Sequence, residues 1–282
     1  MTGKERGFLL LRSHLGDPER RPLSQAQLRD LRLLVRNSAQ PQEERALTEE
    51  DLLKIGCDWE LSERILALLS QEALLDAYVK RGADRGCVPV TRVSDAYPGR
   101  VLSCLGGEAP GTLWAKGDLS ILQMEKTALV GSRNLSIQGA VFARRVGIWA
   151  AEKGYALVSG NARGADTTAQ EACLANGGRV ICVVADRLDS HRPRENVLYL
   201  SEEDFDTDFS AHRALSRNRI VHSLADTTFV AQCAFQKGGT WDGSIRNLKN
   251  RWSTLKCLRD GSKAMEALKK MGAELIDIKD LN

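Results

Sequence analysis

Two glycine turns, each followed by an arginine, stand at the ends of successive apolar runs. Lys126-Thr127-Ala128-Leu129-Val130 leads into Gly131-Ser132-Arg133-Asn134, and Tyr155-Ala156-Leu157-Val158-Ser159 leads into Gly160-Asn161-Ala162-Arg163-Gly164-Ala165-Asp166. Such short apolar runs suit buried parallel strands. A glycine at the strand end lets the backbone turn tightly and lets an anion approach, and the helix that follows offers unpaired N–H groups at its positive end. Arginine adds planar donors that match phosphate oxygens. Two such cradles along one sheet edge predict a ligand with several phosphates, a nucleotide or a nucleic-acid strand. Neither matches the three-glycine dinucleotide fingerprint or the Gly-Lys-Ser/Thr phosphate loop, which argues against a nicotinamide dehydrogenase and a P-loop ATPase.

Two further segments belong with them. Arg213-Ala214-Leu215-Ser216-Arg217-Asn218-Arg219-Ile220 is densely basic. On a helix Arg213 and Arg217 are four apart, share a face and need an anion or water between them. Lys237-Gly238-Gly239-Thr240 is another glycine turn at a helix start, with Thr240 placed as a cap or a phosphate ligand.

The elements that must position these segments alternate. Strands are expected at 127–130, 156–159, 180–184, 228–231, 255–258 and 274–278. Helices are expected at about 136–153, 166–175 and 210–224, from 237–240 onward, and at 262–271, with 186–196 irregular. Repeated βα units imply a mostly parallel, doubly wound sheet whose strand-end loops share one edge. Ligands then sit outside the carboxyl ends of the strands. Upstream, shorter strands are expected at 88–93 and 113–118. The first 84 residues read as small amphipathic helices at 23–35, from Thr48 to Lys54, 61–69 and 71–80, with Thr48 and Asp51 forming a capping box. The division predicted is a helical domain over 1–84 and an extended α/β core over 85–282.

Composition bounds the rest. A hydrophobic fraction of 43% and a charged fraction of 27% are those of a soluble globular protein. With a net charge of only +3, a nucleic-acid site has to be a local cluster of basic residues. The N-terminus has no secretory leader, and no apolar run approaches the roughly 20 residues that span a bilayer, so a cytoplasmic protein without membrane contact is expected. The seven cysteines (57, 87, 104, 173, 182, 233 and 257) form no CxxC pair and read as reduced thiols, with Cys182 and Cys233 as small hydrophobes in strand-like runs. The four histidines (14, 191, 212 and 222) lack spacing partners; His212 beside Arg213 reads as a surface residue. Neither a metal nor a cofactor is predicted.

Gly131-Ser132-Arg133, Ser159-Gly160-x-Ala162-Arg163-Gly164-x-Asp166 and Arg217-Asn218-Arg219-Ile220, in this order and spacing, resemble the bacterial DNA-processing protein A family, also called DprA or Smf. Tyr97-Pro98 and Leu113-Trp114-Ala115-Lys116-Gly117-Asp118 resemble the segment before that family's first strand. The likeness covers about residues 85–260 and is weaker in the helical N-terminus. It implies an extended Rossmann-like fold, single-stranded DNA binding, a homodimer, and work with a RecA-type recombinase in DNA uptake or recombination. It further implies phosphate contacts from Arg133, Arg163, Arg217 and Arg219, with backbone amides contributed at Ser132, Gly160, Gly164 and Gly239. Gly131, Asn134, Arg213, Lys237, Gly238 and Thr240 complete the expected strand-binding set. Asp166 and Asn218 are assigned to holding the loops in shape.

The chain departs from that family at several places. Asn161 replaces a small or apolar residue, Gln170 a histidine, and Lys237-Gly238-Gly239-Thr240-Trp241-Asp242 a Ser-Gly-Ser/Thr loop. The C-terminal winged-helix module of many members is not expected. Trp241 reads as a buried tryptophan rather than a base-stacking one. Two other functions remain open on the same fold. One is a sensor of a nucleotide derivative. The other is a nucleoside-monophosphate glycosidase, whose carboxylate would be Asp166 or Asp242.

Overall fold

The structure is a computed structural model that describes residues 1–38 and 46–281. The chain divides into two compact units, Met1–Asp84 with Thr91–Asp95, and Arg85–Val90 with Ala96–Asn282.

The first unit is helical: α1 (Gly3–Arg12), α2 (Gln25–Asn37), α3 (Glu49–Lys54), α4 (Trp59–Leu69) and α5 (Glu72–Ala83). Thr48 and Asp51 form the expected capping box at α3. Another, from Thr2 and Glu5, starts α1, a helix that the sequence pattern did not reveal. Leu23, Leu31, Leu52, Ile65 and Leu68 form its small core.

The second unit is built on one nine-stranded sheet: β1 (Val88–Thr91), β2 (Thr112–Lys116), β3 (Lys126–Val130), β4 (Ala156–Ser159), β5 (Arg179–Val183), β6 (Val197–Ser201), β7 (Thr227–Val230), β8 (Thr254–Leu258) and β9 (Glu274–Ile276). Its helices are α6 (Gly99–Leu105), α7 (Ile137–Glu152), α8 (Ala165–Ala175), α9 (Ala211–Leu224), α10 (Gly238–Asn250) and α11 (Lys263–Lys270). The sequence-based bounds for β3, β4, α7, α8 and α9 fall within a residue of those observed. Strand β6 and helix α6 were missed. β6 is only five residues long and follows a turn in which Asn196 takes a positive φ of 60°.

The strand order is β1-β2-β6-β5-β4-β3-β7-β8-β9. Every pair from β6 to β9 is parallel, and β2 joins β6 antiparallel. The chain therefore winds outward from β3 through β4, β5 and β6, returns to the other side of β3 at β7, and winds outward again. This reversal beside β3 is the topological switch point, where the loops after neighbouring strands diverge and leave a crevice.

Strand residues alternate between two apolar layers. Val130, Val158 and Ile181 share a core cluster with Ile220, Val221 and Leu224 of α9. On β7, Phe229 meets Phe142 of α7 edge to face at 6.3 Å. Both layers are sealed, and α9 and α8 are fixed against the central strands whose ends carry the loops.

Candidate anion-binding site

The crevice at the switch point is a cleft of about 600 Å³. It is walled by the loop after β3 (Gly131, Ser132, Arg133), by Gly160, Ala162 and Asp166, by the inner face of α9, and by Lys237–Thr240. A second cleft of about 460 Å³ continues toward Arg163 and the end of β5, where Val184, Ala185 and Asp186 line it. Arg133, Gly160 and Arg217 border both.

At the centre lies Arg217. Its residue surface is only 8% exposed, yet its Nε has no hydrogen-bond partner, and no ion pair forms with it among the described residues. Burial pushes its pKa down while Asp166, Glu202 and Asp186 favour its charge, and Arg133 opposes it. A desolvated guanidinium with an unpartnered Nε and no ion pair among the described residues is costly to bury and well placed for an incoming anion.

Gly160 makes this position possible. A Cβ there would stand 1.7 Å from Nη1 of Arg217. Its own amide donates to Asp166 Oδ2 at 3.0 Å, as does that of Ala162 at 3.1 Å. The N–H of Ser132 donates to the Gln232 carbonyl at 2.8 Å. These bonds correct the expectation that Gly160 and Ser132 offer their amides to a ligand. Gly160 instead admits the guanidinium, and Ser132 ties the β3 loop to the end of β7.

Asp166 holds the loop from within. It is 6% exposed at the first turn of α8. Burial pushes its carboxyl up to about 6, against the pull of Arg217, the two amides and Arg133. The loop it ties passes through Asn161 at a φ of 56°, a left-handed position that asparagine tolerates better than an apolar residue. Gln170, also buried, donates to Ser159 Oγ, so this departure from the family pattern serves the strand end.

Asn218 Nδ2 donates to the Gly239 carbonyl at 3.1 Å, and Thr240 Oγ1 to the Gly131 carbonyl at 3.0 Å. Both stitch the first turn of α10 to its neighbours. No side chain caps that helix, and Lys237, Gly238, Gly239 and Thr240 at its positive end line the cleft. Thr240 thus joins Asp166 and Asn218 in shaping the loops. Arg133, Arg163 and Lys237 are exposed at the rim, and Arg163 donates to Asn134 Oδ1 at 3.3 Å.

Two arginines are not brought into the cleft. Arg213 sits in the first turn of α9, and its Nη1 donates to the carbonyls of Thr207 and Asp208. Its Nε and Nη2 are buried without a hydrogen-bond partner among the described residues, away from either cleft. Arg219 lies on another face of α9, paired with Glu202 at 2.6 Å, and both are half-buried. Helical spacing put Arg213 and Arg217 on one face, but the carbonyls that precede the helix supplied the partner for Arg213. Arg219→Ala would strand the Glu202 carboxylate. For a half-buried pair we expect a loss of about 1–2 kcal/mol in chemical denaturation, with anion affinity unchanged; weakened anion binding would return Arg219 to the site.

Asp242 is exposed and does not line either cleft. Trp241 is 8% exposed and packs edge-on against Phe235 at 5.3 Å, as a core residue. His212 is exposed, whereas His222 is buried on the cleft wall with its pKa pushed down to about 3 by burial. Cys182 is buried in β5; Cys233 lies beyond the end of β7, on the cleft wall rather than in a strand. All seven cysteines are free. Among the described residues no cluster of His, Cys, Asp and Glu suits a metal ion, and no helix is long and apolar enough to cross a membrane.

Fold and site together define a Rossmann-like α/β protein with a cationic crevice at its switch point. The sequence model of DNA recombination-mediator protein A matches residues 89–276, and the chain belongs to that family. It is 35% identical over 156 residues to DNA processing protein DprA of Streptococcus pneumoniae, covering 52% of this chain and 54% of that one. It is 30% identical over 170 residues to its counterpart in Bacillus subtilis, covering 56% and 55%. The aligned part thus spans about half the length of these curated relatives. The solved structure of the Streptococcus pneumoniae protein superposes with a TM-score of 0.71 at 27% identity, over 100% of this chain and 97% of that one. A Helicobacter pylori DNA processing protein A shares the fold, with a TM-score of 0.58 at 24% identity over 69% and 93%.

Proposed function

We propose that this protein binds single-stranded DNA through its phosphodiester backbone, and that it works as a homodimer with a RecA-type recombinase. The observation that carries the binding is Arg217, buried beneath two glycine loops with its Nε unpartnered and facing a cleft ringed by Arg133, Arg163 and Lys237. The Helicobacter pylori relative is described by its single-stranded DNA binding mode, and the family is that of a recombination mediator, which supports the same reading. A recessed guanidinium is reached by a flexible strand that can turn a phosphate inward; a stiff duplex presents its phosphates on a convex surface. Nothing in the cleft resembles a groove-reading element, so sequence preference is slight.

The test is titration of fluorescent oligo-dT at several salt concentrations, with a nucleoside monophosphate as competitor. Engagement of Arg133, Arg163, Arg217 and Lys237 predicts a slope of log K against log salt of about −3 for a single strand. A flat slope, or displacement by the monophosphate at equal concentration, would replace the strand with a small nucleotide. The recombinase role is checked by the rate of RecA nucleation on DNA covered by single-strand-binding protein; no acceleration removes that part of the proposal. The homodimer is checked by light scattering.

A further inference from the structure

The anion site contains its own carboxylate. Asp166 lines the first cleft together with Arg217 and Arg133. Its Oδ2 is committed to the amides of Gly160 and Ala162, and no hydrogen bond reaches Oδ1 among the described residues. A phosphate drawn to Arg217 therefore approaches a buried negative charge, whose repulsion is relieved only if the charge is neutralised. The geometry allows this without loosening the loop. Oδ2 can keep both amides while Oδ1 takes a proton and donates it to an anion oxygen.

On this basis we infer that the site binds its anion together with a proton, taken from solvent onto Asp166 Oδ1. The inference rests on the anion-binding reading of this cleft. Burial already pushes the carboxyl up to about 6, so a nearby anion moves it into the range where uptake is measurable. Other charged and titratable groups surround it. Arg217 from α9 faces it as a guanidinium, which does not lose its proton in proteins; Arg133 from the β3 loop and Arg163 and Lys237 at the rim are the other basic groups. Glu202, beyond Arg217, is ion-paired with Arg219. Cys182 from β5 is pushed up to about 12 by burial. Asp186 is held below the usual carboxylate range by its hydrogen bond from His191. That histidine, 3.0 Å from Asp186, is given its own control, and His222 on the cleft wall is pushed down to about 3 by burial.

The experiment is calorimetry of oligo-dT binding to the full chain at neutral pH in buffers of different ionisation enthalpy, with affinity followed from pH 6 to 8.5 at fixed ionic strength. The expected result is net proton uptake, with affinity falling up to about tenfold per pH unit as pH rises. Asp166→Asn mimics the protonated acid, since its carbonyl accepts both amides and its NH2 donates to the anion; it should bind with no pH dependence from this source. His191→Gln should retain the coupling. Buffer-independent heat with a flat pH profile, or an unchanged profile in Asp166→Asn, overturns the inference. If Asp166→Asn does not fold, the wild-type calorimetry decides alone. Sulfate, which does not titrate in this window, is run as a second probe. Sulfate uptake with a proton but no binding of oligo-dT would support the coupling and sink the strand reading; sulfate binding without a proton overturns the coupling by itself.

Discussion

Replacing Arg217 with methionine should abolish most single-strand binding without lowering the melting temperature. The wild-type guanidinium is 8% exposed with its Nε unsatisfied, so the folded protein carries its desolvation without return until an anion arrives. Methionine keeps the apolar stem against α9 and removes the charge. Asp166 loses its principal counter-charge, but its carboxyl already sits near 6 and protonates instead of standing as an unpaired buried anion. Loss of two charge-assisted bonds to phosphate removes about 3–4 kcal/mol, some hundredfold to thousandfold in Kd. The measurements are oligo-dT affinity at fixed salt and thermal unfolding of the same samples. Wild-type affinity would show that the phosphate bypasses Arg217; a marked fall in melting temperature would show that Arg217 is a structural residue with partners in solution.

The second large effect is expected from Gly164→Ala. Gly164 precedes α8 with a φ of 91° and a ψ of −119°, a conformation that L-residues disfavour. The added Cβ would lie 2.5 Å from the carbonyl oxygens of both Ser132 and Arg133, which are backbone atoms and cannot swing aside. Relief requires separating the two loops and stretching the 3.1 Å bond from the Ala165 amide to the Ser132 carbonyl. Strain and lost contacts together should cost about 2–4 kcal/mol, a melting temperature lower by roughly 5–10 °C for a chain of this size. Affinity should fall as well, because Arg133 and Arg163 no longer meet on one anion. Wild-type stability and affinity in Gly164→Ala would mean that the two loops do not approach this closely. Gly177, also at positive φ, would place an added Cβ with nothing within 4 Å and serves as the control for backbone strain without a clash.

Much of the α/β core was legible because its signals are local. β3 and β4 are short apolar runs that stop at glycine, and α7, α8 and α9 follow at the spacing of βα units. Local signals also failed in recognisable ways. β6 follows directly on an irregular stretch whose last residue, Asn196, takes a positive φ, and α1 is marked by only a two-residue capping box, Thr2 and Glu5. The basic segment on α9 is the clearest case of a partial reading. Residue type and spacing identified it as chemically important but treated its arginines as equivalent. Their fates differ because Arg213 Nη1 met free carbonyls before the helix, Arg219 met Glu202, and Arg217 lies against Gly160 on the cleft wall, with the charge of Asp166 nearby.

The sequence by itself determined the glycine turns, the arginines behind them and the alternation of strand and helix, since each depends on the conformational preferences of neighbouring residues. It also determined family membership through three ordered motifs. Only the tertiary structure decided which donors remain available to a ligand. The amides of Gly160 and Ser132 are consumed by Asp166 and Gln232, Arg219 is paired with Glu202, Arg213 folds back on preceding carbonyls away from the clefts, and Arg217 alone of these three lines them. Hydrogen bonds of that kind join residues far apart in the chain, and which of two competing partners a donor takes depends on distances that no local pattern contains.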